Sequence, residues 1–252
     1  MRAQLPTIHD GAPAAIHTAA GGAVYVSPHP EPERAAVYFL TRLGGVSQPP
    51  YDELNVSIKV GDEPETVGEN IGIIRRAMGE RPSAWVRQVA GDSIVEVSEG
   101  GFAGEADALL TSEPDLCLNV AVADCVPVAL VGDDEVAMAH SGWRGTLSGI
   151  SGKTARRMTG RVRAYIGPCI RPCCYEVSQE LAEDFAQEFG PGVVSGRQLS
   201  LPDAIREDLG RAGAEVVDLG LCTGCRPDLF FSHRKQKPVT GRSLASVYKA
   251  GR

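Results

Sequence analysis

No stretch of this chain approaches the ~18–20 consecutive apolar residues of a membrane span, and its first residues lack a charged segment followed by an uninterrupted apolar one. Neither a bilayer nor a secretory route is expected, and the cytoplasm is. A block of lysine and arginine is also missing. With 25 basic against 32 acidic side chains, the formal charge of −7 does not describe a surface for nucleic acid or anionic lipid. Small molecules are the expected partners. Aromatic residues make up only 6% of the chain, whereas 29 glycines and 17 prolines are plentiful, a composition that suits a loop-rich α/β protein better than a helical bundle. Repeats, low-complexity tracts and long linkers are absent, so one domain over residues 1–252 is the simplest assignment. No strand, glycine-rich turn and helix follow one another in a nucleotide fingerprint, and residues 100–104 are too irregular to supply one, which argues against a nicotinamide or flavin enzyme.

What is present begins with a thiol and an imidazole. The apolar, β-prone runs 127–131 and 136–140 flank the turn-forming Gly132-Asp133-Asp134-Glu135, and together they predict an antiparallel hairpin. If Val131 faces Val136, then His140 faces Pro127, and Cys125 lies two residues along the same face, a diagonal neighbour at roughly 7–8 Å. A register slip of one residue would send the two side chains to opposite faces. Further strands are expected at 36–41, 84–88, 94–97, 108–111, 117–123, 164–166, 216–219 and 244–248. Helices are expected at 64–78, 146–158, 178–189 and 202–212. The first carries Val67, Ile71, Ile74 and Met78 at helical spacing, acidic residues in its first turn and arginines in its last. Strands dominate the middle and helices come mostly later, an order that favours mixed β-sheets flanked by helices over regular βαβ alternation. Between these elements, the paired glycines Gly44 and Gly45 of the 41–47 loop would let backbone approach a ligand.

The seven cysteines are Cys117, Cys125, Cys169, Cys173, Cys174, Cys222 and Cys225. Reduced thiols are the default for a cytosolic chain. Cys222-Thr-Gly-Cys225 with Cys169 and Cys173 or Cys174 offers four thiolates for a structural zinc, but the first group lacks the usual knuckle spacing. The plainer expectation is buried small hydrophobes at tight turns.

Taken end to end, the motifs resemble the YfiH-like family, also called laccase-domain or polyphenol-oxidase-like proteins. The resemblance is carried by Thr41-Arg42-Leu43-Gly44-Gly45-Val46-Ser47, Leu54-Asn55, Gly61-Asp62, Glu69-Asn70, Gln88-Val89-Ala90-Gly91, Ala106-Asp107-Ala108 and Ala123-Asp124-Cys125. It continues through Ala139-His140-Ser141-Gly142-Trp143-Arg144-Gly145, Ile166-Gly167-Pro168-Cys169-Ile170, Cys173-Cys174-Tyr175-Glu176-Val177, Phe230-Phe231-Ser232-His233-Arg234 and Thr240-Gly241-Arg242. It implies a zinc site with Cys125 and His140 as metal ligands and catalytic residues. The family's first ligand, a histidine, falls at Ala90, which has no donor, while a catalytic zinc usually keeps three protein ligands and one open position. A carboxylate such as Asp124 in its place, a branch working without metal, and a copy disabled at this position are the alternatives.

The activity implied is that of a purine nucleoside phosphorylase, with related cleavage of methylthioadenosine and deamination of adenosine, so purine nucleoside and phosphate are the expected small-molecule partners. Arg42 and Arg144 are the candidates for phosphate or sugar, because arginine grips oxyanions bidentately, although either serves equally well in structural salt bridges. Asn55 and Gln88 are candidates to read base or ribose. Trp143 is expected to pack rather than to stack on a base, His233 to order the C-terminal loop, and His9, His17 and His29 to lie at the surface. Copper-dependent laccase chemistry needs far more imidazoles than the five histidines here. Two further functions stay open. One is a Cys125–His140 thiol hydrolase acting on an amide, such as a wrongly built peptidoglycan precursor, since the family's fold is similar to that of a bacterial toxin's cysteine deamidase domain. The other is a nucleoside-binding protein without turnover.

Overall fold

The runs that form the central hairpin are apolar up to His140 because both of their faces are covered. In the computed structural model, which describes residues 13–236 and 239–251, the strands β9 (Val126–Val131) and β10 (Val136–Ser141) pair antiparallel with Val136 opposite Val131 and His140 opposite Pro127, the register expected from the sequence. Along β10, Ala137 and Ala139 pack toward helices while Val136 and Met138 pack toward a second sheet. His140 follows the second set, so its side chain belongs to the face between the sheets.

Numbered along the chain, the sheet that holds the hairpin runs β14 (Glu215–Asp218), β11 (Arg163–Ile166), β9, β10, β7 (Ala108–Thr111), β5 (Ile94–Glu96). The other sheet runs β1 (Ala14–Thr18), β2 (Val24–Pro28), β3 (Ala35–Leu40), β15 (Ser243–Lys249), β8 (Cys117–Val122), β4 (Ser83–Arg87), β6 (Gly101–Glu105). Both mix parallel and antiparallel pairs. Phe39, Leu118, Val120 and Val247 of the second sheet meet Leu109, Ala129, Met138 and Tyr165 of the first in one buried layer. Full burial of such side chains contributes about 1.5–3 kcal/mol each. A small ribbon, β12 (Val194–Ser195) and β13 (Gln198–Leu199), lies beside the helices.

Helix α1 (Pro64–Ala77) covers the outer face of the seven-stranded sheet. The helices α3 (Ile150–Arg157), α4 (Gln179–Phe189) and α5 (Leu201–Arg211) cover that of the six-stranded one. The single helix expected over 146–158 is two, because Gly149 adopts φ +70° and separates α2 (Trp143–Leu147) from α3. On α1, Ile71 is 43% exposed and its expected place in the core is taken by Ile73 and Asn70. The buried Asn70 amide donates to Ser47 Oγ and to the carbonyls of Glu53 and Asn55, and its oxygen accepts from Val46 N–H. Strand β6, absent from the sequence reading, is rich in glycine and is held by parallel pairing with β4, with a register shift between Trp85 and Arg87. Among the surface histidines, His29 is exposed, His17 stacks on Tyr25 within the β1–β2 pair, and His9 lies outside the described residues.

The paired glycines of the 41–47 loop are required by close packing of backbone. A Cβ on Gly44 would lie 2.0 Å from the Gly22 carbonyl oxygen, and one on Gly45 would lie 2.4 Å from that of Glu53 and 2.5 Å from Leu54 Cα. Because these are backbone atoms that cannot swing away, Gly45→Ala is expected to destabilise the fold by about 1–3 kcal/mol. Urea denaturation reads this as a lower midpoint at unchanged slope; an unchanged midpoint would show that the loop yields.

Candidate active site

Where β7, β9 and β10 run out, three chain segments converge. Asp107, immediately before β7, accepts the His140 backbone N–H through its carbonyl at 2.7 Å, and its Oδ1 lies 2.8 Å from His140 Nδ1. The same carboxylate is fully buried and accepts the backbone N–H groups of Val89, Ala90 and Gly91 at 3.2, 3.1 and 2.7 Å. Burial works against its charge, but the bonds from His140 and Gly91 prevail and hold its pKa below the ordinary value. An ionised Asp107 fixes the proton on Nδ1 and leaves Nε2 for chemistry. The imidazole is itself buried, which disfavours its charged form; charge on Cys125 and the Asp107 bond outweigh this and push it up to about 9. Cys125 and that ring meet at Gly142, where a Cβ would sit 3.2 Å from Cys125 Sγ and 3.9 Å from His140 Cε1. Glycine there leaves the approach to both open.

Ala90 sits on the loop that Asp107 braces, in the left-handed region at φ +58°, a conformation uncommon for a residue with a side chain. The loop shape is kept, but the methyl group offers no lone pair. Asp124 does not supply the missing donor. Its Oδ1 accepts the Thr223 hydroxyl at 2.6 Å and its Oδ2 the Arg234 backbone N–H at 2.7 Å, which ties the loop before β9 to the C-terminal segment. Cys125 and His140 are therefore two donors where a catalytic zinc needs three, and the residues present do not fit that ion.

Of the residues expected to bind substrate, Arg42 is buried. Its guanidinium donates to the carbonyls of Asp52 and Pro227, pairs with the Asp52 carboxylate at 3.0 Å and lies over Phe231. The Asn55 amide bonds Ser57 O and Asp62 Oδ2, and its oxygen accepts the N–H groups of Ser57 and Arg242. Gln88 spends its amide on both backbone groups of Ala121, extending the sheet ladder. These three are engaged in holding loops. Arg144 is exposed and lies 4.1 Å over the Trp143 ring.

Trp143 both packs against the core and lines an open cleft of about 550 Å³ with Tyr175, Ser178, Arg197 and Arg234. The Arg234 guanidinium covers the Tyr175 ring at 5.0 Å, and the lining residue Trp143 directly follows Gly142, which lies against Cys125 Sγ, so one wall of the cleft is continuous with the backbone beside the thiol. Arg242 is a site residue that sequence reasoning missed. It is largely buried, which holds its pKa down, and it lies within the field of Cys125 and Asp124. Its guanidinium donates to the carbonyls of Thr240 and Gly241. The signal was the segment Thr240-Gly241-Arg242, to which the resemblance attached no role. His233 is exposed.

The cysteines depart from expectation. The sulfurs of Cys173, Cys174, Cys222 and Cys225 lie within 4.8 Å of one another, and two of these residues are exposed, so they are not buried packing groups. Cys169 is fully buried and stands outside the cluster.

A family model described as multi-copper polyphenol oxidoreductase laccase matches residues 36–250. The chain belongs to this YfiH-like, laccase-domain family. It is 33% identical to the purine nucleoside phosphorylase YfiH of Escherichia coli over 87% of this chain and 96% of that protein. It is 35% identical to a purine nucleoside phosphorylase of Deinococcus radiodurans over 83% and 87%. The fold is similar to that of YfiH from Bacillus licheniformis, with a TM-score of 0.85, 27% identity and coverage of 93% and 98%. The family's description names copper. No described helix is long and apolar enough to cross a membrane.

Proposed function

We propose that this chain is a purine nucleoside phosphorylase in which Cys125, His140 and Asp107 work on a nucleoside held in the adjoining cleft. The observation that carries this reading is the proximity of an oriented thiol–imidazole pair to a cleft bearing two aromatic rings and two arginines, Arg197 and Arg234. A purine is flat and polarisable, and Trp143 and Tyr175 supply faces for it. Phosphate needs cationic donors, and Arg234, Arg144 and the half-buried Arg242 bring guanidinium groups to this region. Phosphorolysis breaks the bond between sugar C1 and the base nitrogen, forms one from C1 to a phosphate oxygen, and requires the departing base to take a proton. His140, with Nδ1 fixed by Asp107, is the group placed to handle that proton at Nε2.

Zinc dependence and adenosine deamination, both implied by the resemblance, call for a third metal donor that Ala90 does not offer. We propose that the Cys125–His140 site works without a resident metal. The thiol-hydrolase reading draws on the same incomplete donor set and the Cys–His–Asp order.

The test is release of free base from adenosine, inosine and guanosine with and without phosphate, on the wild-type chain and on Ala90→His, alongside elemental analysis for zinc and copper. Phosphate-dependent base release by the wild type, unaffected by chelator, is expected, and Ala90→His should hold one more metal ion per chain than the wild type. Absence of base release from all three nucleosides would overturn the phosphorylase reading, whether the chain instead hydrolyses an amide substrate or binds nucleoside without turnover. Equal metal content in the two versions would overturn the account of position 90.

A further inference from the structure

Away from Cys125, two short turns place four thiols face to face. Cys173 and Cys174 close the turn Pro172–Cys174, and Cys222-Thr223-Gly224-Cys225 forms the other, anchored by an isolated backbone β-bridge between Cys169 and Cys222, both free thiols. The Cys173–Cys222, Cys173–Cys225 and Cys174–Cys225 sulfur separations are 3.6, 3.4 and 3.5 Å. Sulfurs arranged tetrahedrally at the ~2.3 Å zinc–thiolate distance stand about 3.8 Å apart, whereas a disulfide requires ~2.05 Å. The cluster thus has the dimensions of a metal cage. One detail shapes it. Position 224 must lack a side chain, since a Cβ there would lie 2.9 Å from Cys174 Cβ and 3.0 Å from its Sγ.

We propose that Cys173, Cys174, Cys222 and Cys225 bind one zinc-class divalent cation in a closed tetrathiolate site. Each thiol gives up its proton as its sulfur–metal bond forms, so no oxidant or reductant is needed. Four protein ligands leave no open coordination position, which makes the ion structural rather than catalytic. What it fixes is informative. Thr223, between two of the ligands, donates its hydroxyl to Asp124, and Arg234 gives Asp124 its backbone N–H. The ion would therefore clamp the segment that supports the loop carrying Cys125.

The test is elemental analysis of the full chain purified under reducing conditions without added metal, followed by titration of its thiols with an organic mercurial beside a zinc-responsive dye. About one zinc per chain, released as the thiols react, is expected. Cys173→Ser with Cys225→Ser should abolish that content, and Cys125→Ala should retain it. The cobalt-substituted wild type should show sulfur-to-metal charge transfer, a readout that does not depend on the variants folding. The proposal is overturned if zinc survives the double serine change. It is equally overturned if the wild type takes up neither zinc nor cobalt, or if peptide mapping finds a disulfide among the four. None of these readouts involves nucleoside turnover, so the outcome is independent of the phosphorylase assignment.

Discussion

Replacing Asp107 by Asn is expected to lower turnover by about 10³–10⁴-fold, the loss that follows when a carboxylate orienting a catalytic imidazole becomes an amide. The carboxylate is fully buried and receives four donors: His140 Nδ1 and the N–H groups of Val89, Ala90 and Gly91. An amide has one acceptor oxygen and an NH₂ that would point at groups which themselves donate. Either the ring loses the carboxylate that favours its doubly protonated form, the form able to give a proton from Nε2 to the departing base, or the 89–91 loop loses its anchor. Breaking such a buried charged network costs about 3–5 kcal/mol of stability, so the variant should also unfold at lower denaturant. The two effects are separable. Turnover measured well below the unfolding transition reports the protonation and orientation of the ring, and a variant that is merely unstable would keep its turnover there. Retained activity at wild-type level under those conditions would remove Asp107 from the site.

The central hairpin was legible because its turn residues and flanking valines permit one register that buries both faces, and that register sets the face of His140. Cys125 could be placed beside it from counting alone. The polar residues were harder to read. Gln88 and Asn55 have the side chains of ligand readers, but their amides substitute for missing backbone partners, at a strand end for Gln88 and in the 55–62 turn for Asn55. Whether an amide faces a ligand or a neighbouring loop depends on contacts far away in sequence. Arg242 illustrates the same limit from the other side: it lies more than a hundred residues from Cys125 and reaches the site because β15 pairs with β8. The cysteine cluster hid behind its spacing. Cys173 and Cys174 are adjacent rather than spaced as a knuckle pair, and only folding brings the Cys222–Cys225 turn against them. The two glycines of the 41–47 loop gave a true signal of close approach, but the approaching groups are the backbones of Gly22 and Glu53.

Cys125→Ala should reduce nucleoside phosphorolysis by about 10²–10⁴-fold, the range for losing a group that acts with a general acid or base, and Cys125→Asp discriminates between roles for the sulfur. The thiol lies against a buried imidazole, and its charge is the chief favourable influence on the ring's protonated form. If the sulfur acts as that charge partner, a carboxylate at the same position restores part of the lost turnover, because the interaction is Coulombic and not covalent. If the sulfur is a nucleophile, Asp is no better than Ala, and a bond to carbon forms at Cys125 that an amide or ester substrate would reveal as a burst followed by slower steady turnover. Alkylation with iodoacetamide separates neither role, since it removes the charge and blocks the cleft at once. Phosphate-dependent base release by Cys125→Asp above the alanine level, with no burst on amide substrates, is the expected result. Wild-type turnover in Cys125→Ala would place the chemistry elsewhere in the cleft, with the aromatic rings of Trp143 and Tyr175 and the arginines beside them as the groups left to account for it.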